Sequence, residues 1–235
     1  MIRPGRIPLA FAALALLASS NRARAQADAS GPRFGANRYE IRFAASAWPD
    51  VADLVASHSA FSPPYGGTLK TFGLGLEIGY LRRVSGTSTH AAYLGAEFAG
   101  YLHSGDQRYA GTWAGSGQPV EATLYANPGY LVLCGRYVSR FAAQWDWHAG
   151  AGGGLYMLSV KDDIAGMNVE TGVRDESAGG YAALGIDRGI RGRHTIVGLE
   201  ARAHFFEFHD LDPGFPGQSA GGPLYEVAIG IAWAD

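Results

Sequence analysis

Hydrophobic residues alternate with small or polar residues in eight stretches of the chain. From Thr71 to Tyr80, one face of an extended chain would carry only large apolar side chains and the other mostly glycine. Successive side chains of a strand point to opposite faces, so this pattern predicts strands with one apolar face. The eight predicted strands are approximately Arg38–Ala47, Thr71–Tyr80, Ala92–Leu102, Glu121–Tyr137, Phe141–Leu158, Gly179–Arg188, Val197–Phe205 and Tyr225–Trp233.

The connections between these strands are alternately long and short. This alternation is typical of bacterial outer-membrane barrels, which have short periplasmic turns and longer extracellular loops. The predicted long loops are Trp48–Thr68, Ser104–Val120, Ser159–Ala178 and Asp210–Gly222, and the predicted short turns are Val84–Thr89, Val138–Arg140 and Gly189–Arg193. Pro128 interrupts the fourth strand and lacks an N–H for the ladder, which predicts a bulge or a shorter strand there.

The N-terminus has the features of a secretory signal peptide. Arg3 and Arg6 precede an uncharged, mostly apolar run, and Ala23-Arg24-Ala25 supplies a small-x-small cleavage pattern. The sequence therefore predicts a signal peptide over 1–25, with cleavage after residue 27 as an alternative. A short periplasmic segment over 26–36 and one barrel domain over 37–235 would follow.

Composition bears on which face of the strands points inward. The chain is 17% charged and contains only two lysines, whereas a soluble surface is typically ~25–35% charged. An all-β, eight-stranded, antiparallel, up-and-down transmembrane barrel fits this composition, with its apolar face toward lipid. A soluble periplasmic ligand-binding barrel with the opposite orientation is the alternative. The net charge of −2 argues against nucleic acid as a partner.

From about Arg38 to Trp233 the chain resembles the small OmpA/OmpX-type bacterial outer-membrane barrels. The last predicted strand, Tyr225–Trp233, has apolar residues at alternate positions and ends in an aromatic residue, after which Ala234-Asp235 follow. The resemblance implies an outer-membrane location, with membrane lipid and lipopolysaccharide as surroundings. It also implies that the barrel-assembly machinery reads the final strand, and that long loops could bind an extracellular ligand.

Charged residues and histidines recur on the face that would line the lumen. Eight strands enclose a lumen just wide enough for side chains to fill it. Buried charges there need partners, so these residues predict either a salt-bridge network that plugs the barrel or a gated ion path. The predicted lumen residues are Glu40, Arg42, Glu77, Glu97, Arg136, His148, Asp187, Glu200, Arg202, His204 and Glu226.

A second group of polar residues falls at the predicted extracellular rim. Histidine can deprotonate a serine while an acid orients the imidazole, so such a group could support acyl transfer. The candidates are Ser59, His103, Ser104, His209 and Asp210. Their spacing matches no motif of the lipid A acylation or deacylation enzymes, and we assign no catalytic residue. The histidines lack metal-ligand spacing, so neither a metal nor a cofactor is expected.

The sequence supports several functional hypotheses. The leading one is a non-enzymatic outer-membrane anchor with a plugged lumen, whose outward loops serve adhesion, envelope integrity or small-ligand binding. The alternatives are an enzyme that transfers or removes lipid A acyl chains, a narrow pore, and the soluble ligand-binding barrel. Fold alone does not choose among them.

Overall fold

A computed structural model of the protein describes residues 34–49, 61–62, 72–113, 119–165, 169–190, 194–209 and 219–235. The predicted signal peptide lies outside the described residues. No helix among the described residues is long and apolar enough to cross a membrane.

Eight antiparallel strands form a closed barrel. Each strand pairs with the next one along the chain, and the first and last strands pair with each other. This closed, sequentially paired barrel confirms the predicted fold class. The strands are β1 (Asn37–Ala47), β2 (Phe72–Gly86), β3 (His90–Trp113), β4 (Pro119–Ala142), β5 (Trp145–Ala165), β6 (Val169–Gly189), β7 (Thr195–Phe208) and β8 (Ala220–Ala234). The two-residue strand Phe61–Ser62 pairs with the end of β3.

The alternation in the sequence divides the side chains between the interior and the exterior of the barrel. In β1, every second residue from Arg38 to Ser46 is buried, and the residues between them are exposed or partly exposed. Large apolar side chains cover the exterior; Phe43, for example, is 66% exposed and Leu133 is 75% exposed. The barrel therefore has an apolar outer surface, and polar side chains occupy the middle of its interior.

The two ends of the barrel differ. At one end, which we call the short-turn end, residues 87–89, 143–144 and 190–194 connect the strands. At the other, which we call the long-hairpin end, β3 to β6 extend beyond their neighbours as paired ribbons. The first and last connections at this end lie mostly outside the described residues.

Two of the predicted long loops are mostly strand. Most of Ser104–Val120 belongs to β3 and β4, which pair as far as Thr112 with Pro119. Most of Ser159–Ala178 belongs to β5 and β6, which pair as far as Ile164 with Val169. These stretches lack the apolar alternation from which strands were predicted. Main-chain hydrogen bonds can nevertheless extend a hairpin once the barrel fixes the register of its two strands.

The turn between the fourth and fifth strands was predicted too early. Val138–Arg140 lies within β4, which also includes Phe141, and the turn consists of residues 143–144. Arg140 pairs with Asp146 across the hairpin, with Nε 3.6 Å from a carboxylate oxygen. An oppositely charged cross-strand pair favours this longer hairpin. Likewise, β2 continues to Gly86 and shortens the predicted turn Val84–Thr89.

Pro128 does not shorten its strand. β4 pairs with β5 without interruption through Pro128 and Leu158. On the β3 side, the register passes from Gly129 to Ala126 with no pair between them. The missing N–H of proline therefore interrupts one ladder, while the other keeps the strand extended.

Candidate functional site

The barrel interior holds a connected set of buried ionic side chains, which we call the lumen cluster. It comprises every residue that the sequence placed in the lumen, together with Arg38, and each is at most 6% exposed. Its members are Arg38, Glu40, Arg42, Glu77, Glu97, Arg136, His148, Asp187, Glu200, Arg202, His204 and Glu226. Glycines on neighbouring strands make room for these long side chains; a Cβ atom at Gly230, for example, would lie 2.5 Å from Arg42 Cγ.

Glu40 joins three arginines at one level of the cluster. Arg38 Nε lies 2.5 Å and Arg136 Nη1 2.6 Å from its Oε1 atom, and Arg42 Nη2 donates to its other oxygen. Both oxygens of this buried carboxylate are therefore paired with guanidinium donors. Such bonds offset part of the desolvation cost of burying the charges.

Glu97 connects strands that are not neighbours in the barrel. Its Oε1 atom lies 3.1 Å from Arg136 Nη2 and 3.3 Å from Arg42 Nη1, while Oε2 lies 3.1 Å from Arg202 Nη1. The Tyr181 hydroxyl also donates to Oε2, at 2.5 Å. Glu97 on β3 thus links β1, β4, β6 and β7 across the lumen.

His148 lies between two carboxylates near the short-turn end of the cluster. Its Nε2 atom is 2.6 Å from Glu200 Oε2, and its Nδ1 atom is 3.2 Å from Asp187 Oδ2. The same oxygen of Asp187 accepts from Arg38 Nη2 at 2.9 Å. The imidazole therefore joins the carboxylates of β6 and β7.

A layer of aromatic side chains lies on the long-hairpin side of the ionic groups. His204 is fully buried among tyrosine rings, and its Nδ1 atom is 3.0 Å from the Tyr156 hydroxyl. Its Nε2 atom is 3.2 Å from Glu226 Oε2, which also accepts from the Tyr101 hydroxyl. The rings around His204 are Tyr101, Tyr130, Tyr156 and Tyr181.

Apolar side chains fill the barrel at the long-hairpin end. Trp48 is fully buried, its indole N–H donates to the Gly221 carbonyl at 3.0 Å, and its ring packs against Phe206 at 5.4 Å. The buried apolar residues at this end include Trp48, Leu158, Phe206, Phe208 and Leu224. The Tyr156-His204-Glu226 chain therefore lies beneath packed apolar side chains.

The short-turn end is also filled. Phe34 is 5% exposed and lies beneath the Arg140 guanidinium, whose carbon is 5.3 Å from the ring centroid. Arg83 Nη1 donates to the Phe34 carbonyl at 2.9 Å, which holds the segment before β1 against the barrel. Leu81, Tyr93 and Val138 complete the packing. The lumen cluster is thus bounded by apolar packing at both ends.

Several interior residues lie outside the predicted lumen set. Arg38 and Asp146 are 4% and 3% exposed and share their inward face with Glu40 and His148 respectively. The alternation of side chains along their strands already assigns both residues to the lumen face. Tyr130, Tyr156 and Tyr181 are also buried at inward-facing positions of their strands, and the predicted lumen set contains only charged residues and histidines.

Of the rim candidates, the structure describes the backbones of His103 and Ser104 and the side chain of His209. Ser59 and Asp210 lie outside the described residues, while His103 and Ser104 fall within β3 and pair with β4 through their backbones. His209 is exposed after the end of β7, with Nδ1 3.7 Å from Glu207 Oε1. Among the side chains that the structure describes, no serine hydroxyl lies within hydrogen-bond distance of a histidine ring. The described residues also contain no group of three or more acidic, histidine or cysteine side chains that could hold a metal ion.

Replacing His204 with alanine is expected to lower the free energy of unfolding by about 2–3 kcal/mol. The substitution removes two side-chain hydrogen bonds and leaves Glu226 and Tyr156 buried with fewer partners. Urea titration of the refolded protein in lipid vesicles would measure the change. His209→Ala removes an exposed histidine and should alter stability by less than about 0.5 kcal/mol. Equal effects of the two substitutions would contradict a structural role for the His204 contacts.

The fold and the interior define a closed eight-stranded β-barrel with an ion-paired lumen. No protein-family model matches the sequence, and no curated protein matches it. Neisserial surface protein A is similar in structure, with 11% sequence identity and a TM-score of 0.49 over 86% of this chain and 98% of that protein.

Two other outer-membrane proteins are similar at the same level. The attachment invasion locus protein Ail of Yersinia pestis has 10% identity and a TM-score of 0.46, over 85% of this chain and 98% of Ail. The outer membrane protease OmpT of Escherichia coli has 8% identity and a TM-score of 0.45, over 89% of this chain and 99% of OmpT. Similarity at this level assigns no activity to the chain.

Proposed function

We propose that the protein is a bacterial outer-membrane barrel that acts as a non-enzymatic anchor with a plugged lumen. Its long-hairpin end faces outward, where it serves adhesion, envelope integrity or the binding of a small ligand. The observation that carries the proposal is the lumen cluster, whose ionic groups are paired with one another and bounded by apolar packing at both ends. Such an interior stabilises a barrel and leaves little room for water.

The exterior supports a membrane location. From Tyr39 to Ala47, β1 rises ~26 Å, which a strand tilt of ~40° reduces to a height of ~20 Å, close to the ~25 Å apolar band of outer-membrane barrels. Ala47 pairs with Phe72 and Tyr225, which are 58% and 52% exposed. Exposed apolar residues therefore extend over most of the height of that apolar band.

Aromatic side chains at the short-turn end also support a membrane location. Tyr39 and Tyr80 lie in adjacent strands, with ring centroids 5.3 Å apart, and Tyr137 packs against Trp147 at 5.5 Å. Amphipathic aromatic rings are favoured at the membrane–water interface of barrels. Because outer-membrane barrels have short turns on the periplasmic side, this end would face the periplasm. Lipopolysaccharide would then surround the opposite end, and the assembly machinery would read β8.

A planar-bilayer recording tests the plugged-lumen proposal. The protein, refolded in detergent and inserted into the bilayer, is expected to produce no stepwise conductance, because ion-paired side chains and apolar packing fill its interior. Folding of the barrel is checked independently by a mobility difference between unheated and boiled samples on a gel. Discrete conductance steps from a heat-modifiable preparation would contradict the plug and favour the narrow pore.

Cells that produce the protein are used to test the membrane location and the enzymatic alternative. A protein that remained in the soluble periplasmic fraction without a heat-dependent shift would favour the soluble ligand-binding barrel. Mass spectra of lipid A from cells with and without the protein test for acyl transfer or removal. We expect identical acyl compositions, and a change in any acyl species would overturn the non-enzymatic assignment.

A further inference from the structure

A groove of about 660 Å³ lies on the outside of the barrel near its short-turn end. Ligand sites typically measure ~300–1,000 Å³, so the groove is large enough for part of a lipid. It crosses β5 to β8, and its apolar wall is formed by Trp145, Ile186, Val197, Leu199 and Ile229. These side chains are 36–58% exposed, so the barrel itself leaves this apolar surface uncovered.

One cationic side chain lies in the groove. The Arg188 guanidinium carbon is 5.4 Å from the centroid of the Trp145 ring, on the neighbouring strand. Among the described residues, no carboxylate forms an ion pair with Arg188, and none lines the groove. The groove thus combines an apolar wall with a guanidinium that the described part of the chain does not neutralise.

The position of Arg188 relative to the apolar wall matches the order of groups in a phospholipid. Arg188 lies opposite Trp145 and Val197 in the registers of its two neighbours. Ile186, Leu199 and Ile229 form the next outward-facing row, one step further from the short-turn end. The charge is therefore at the interfacial side of the groove, and the apolar residues continue toward the middle of the barrel wall.

We propose that this groove binds one anionic phospholipid from the periplasmic leaflet. The headgroup phosphate would accept hydrogen bonds from Arg188, and an acyl chain would lie along Ile186, Leu199 and Ile229. Guanidinium–phosphate bonds are directional and strong where water is partly excluded. The absence of acidic lining residues among those described favours a headgroup with net negative charge. This inference rests on the proposed outer-membrane location.

Native mass spectrometry of the detergent-solubilised barrel tests the proposal with phosphatidylglycerol and phosphatidylcholine as probes. The wild type should retain one phosphatidylglycerol more tightly than phosphatidylcholine. Arg188→Gln should weaken phosphatidylglycerol binding by about tenfold, through the loss of charge-assisted hydrogen bonds. The matched control is Arg82→Gln, because Arg82 is also an exposed arginine near the short-turn end but lies outside the groove. Equal binding by wild type and Arg188→Gln would overturn the site.

A second pair of variants tests the apolar wall without changing charge. Val197→Trp should fill the groove and reduce phosphatidylglycerol binding, while Leu133→Trp on the distant β4 exterior should leave it unchanged. Glycerol phosphate, which has the phosphate but no acyl chain, should not compete at equal concentration; effective competition would identify a free-phosphate site instead.

A heat-dependent mobility shift confirms that each variant is folded. Wild-type protein that forms no membrane-inserted barrel would refute the proposed location. A correctly inserted barrel whose phosphatidylglycerol binding is insensitive to Arg188→Gln or to Val197→Trp would refute only the lipid site.

Discussion

Replacing Glu97 with alanine is expected to lower the free energy of unfolding by about 3–5 kcal/mol, the typical cost of removing one member of a buried ion pair. The substitution removes the carboxylate that contacts Arg42, Arg136 and Arg202 and accepts from the Tyr181 hydroxyl. Those arginines retain other carboxylate partners, but the lumen loses one negative charge and a link among several strands. Urea-dependent unfolding of the refolded barrel, followed by tryptophan fluorescence in lipid vesicles, would measure the change.

The matched control is Glu207→Ala. Glu207 is also a glutamate on a barrel strand, but its side chain is 63% exposed and its charged contact is with the exposed His209. Exposed pairs typically contribute little, so this variant should differ from wild type by less than about 1 kcal/mol. If the unfolding midpoint of Glu97→Ala matched that of Glu207→Ala, the ion pairs of the lumen would not stabilise the barrel.

Alternation in the sequence predicted which residues face the lumen, because the two-residue period of a strand depends only on the backbone. The inward orientation of Glu97, Glu200 and Arg202 follows from the alternation of side chains along their strands alone. This alternation does not give the depth of a residue along the barrel or the identity of its partner across the lumen. Arg136 on β4 and Glu40 on β1 meet because of strand tilt and register, and neither leaves a local signal in the sequence.

The same reliance on apolar alternation explains the errors at the long-hairpin end. From Ser104 to Val120 and from Ser159 to Ala178, glycine and polar residues replace the apolar series, so the sequence indicated loops. The structure nevertheless continues the strands there: β5 and β6 keep the register that they have in the barrel, and β3 and β4 pair again after a register shift between Ser104 and Arg108. Apolar alternation identifies strands that have a buried or lipid-facing side. It does not identify a strand segment that lacks such a side and is held only by main-chain hydrogen bonds.

The groove at Arg188 had no sequence signal either. An arginine at the end of a predicted strand is common, and nothing near it in sequence distinguishes it from Arg82. The groove appears only when β5, β6 and β7 bring Trp145 and Val197 to either side of Arg188. The residues of this groove come from neighbouring strands, so predicting the groove requires the pairing register of those strands. A single sequence does not specify that register.

Replacing Gly95 with alanine is expected to destabilise the barrel by about 3 kcal/mol, at the upper end of the usual cost of overpacking. A Cβ atom at this position would overlap the Tyr80 carbonyl oxygen and lie 2.8 Å from the Leu81 Cα atom. Both are backbone atoms of β2, so no side-chain rotation relieves the contact. The β2–β3 pairing would have to separate locally, which should reduce the fraction of refolded protein that shows heat-dependent mobility and lower its urea midpoint.

Gly100→Ala is the matched control, because Gly100 is on the same strand and a Cβ atom there would meet nothing within 4 Å. Alanine also restricts the unfolded chain more than glycine does, so this variant should be neutral or more stable by up to about 1 kcal/mol. The two variants make the same chemical change in β3 and differ in the space available beside it. Equal folding yields and equal urea midpoints would show that close backbone approach at Gly95 does not limit the β2–β3 pairing, and the glycine would then have no packing role.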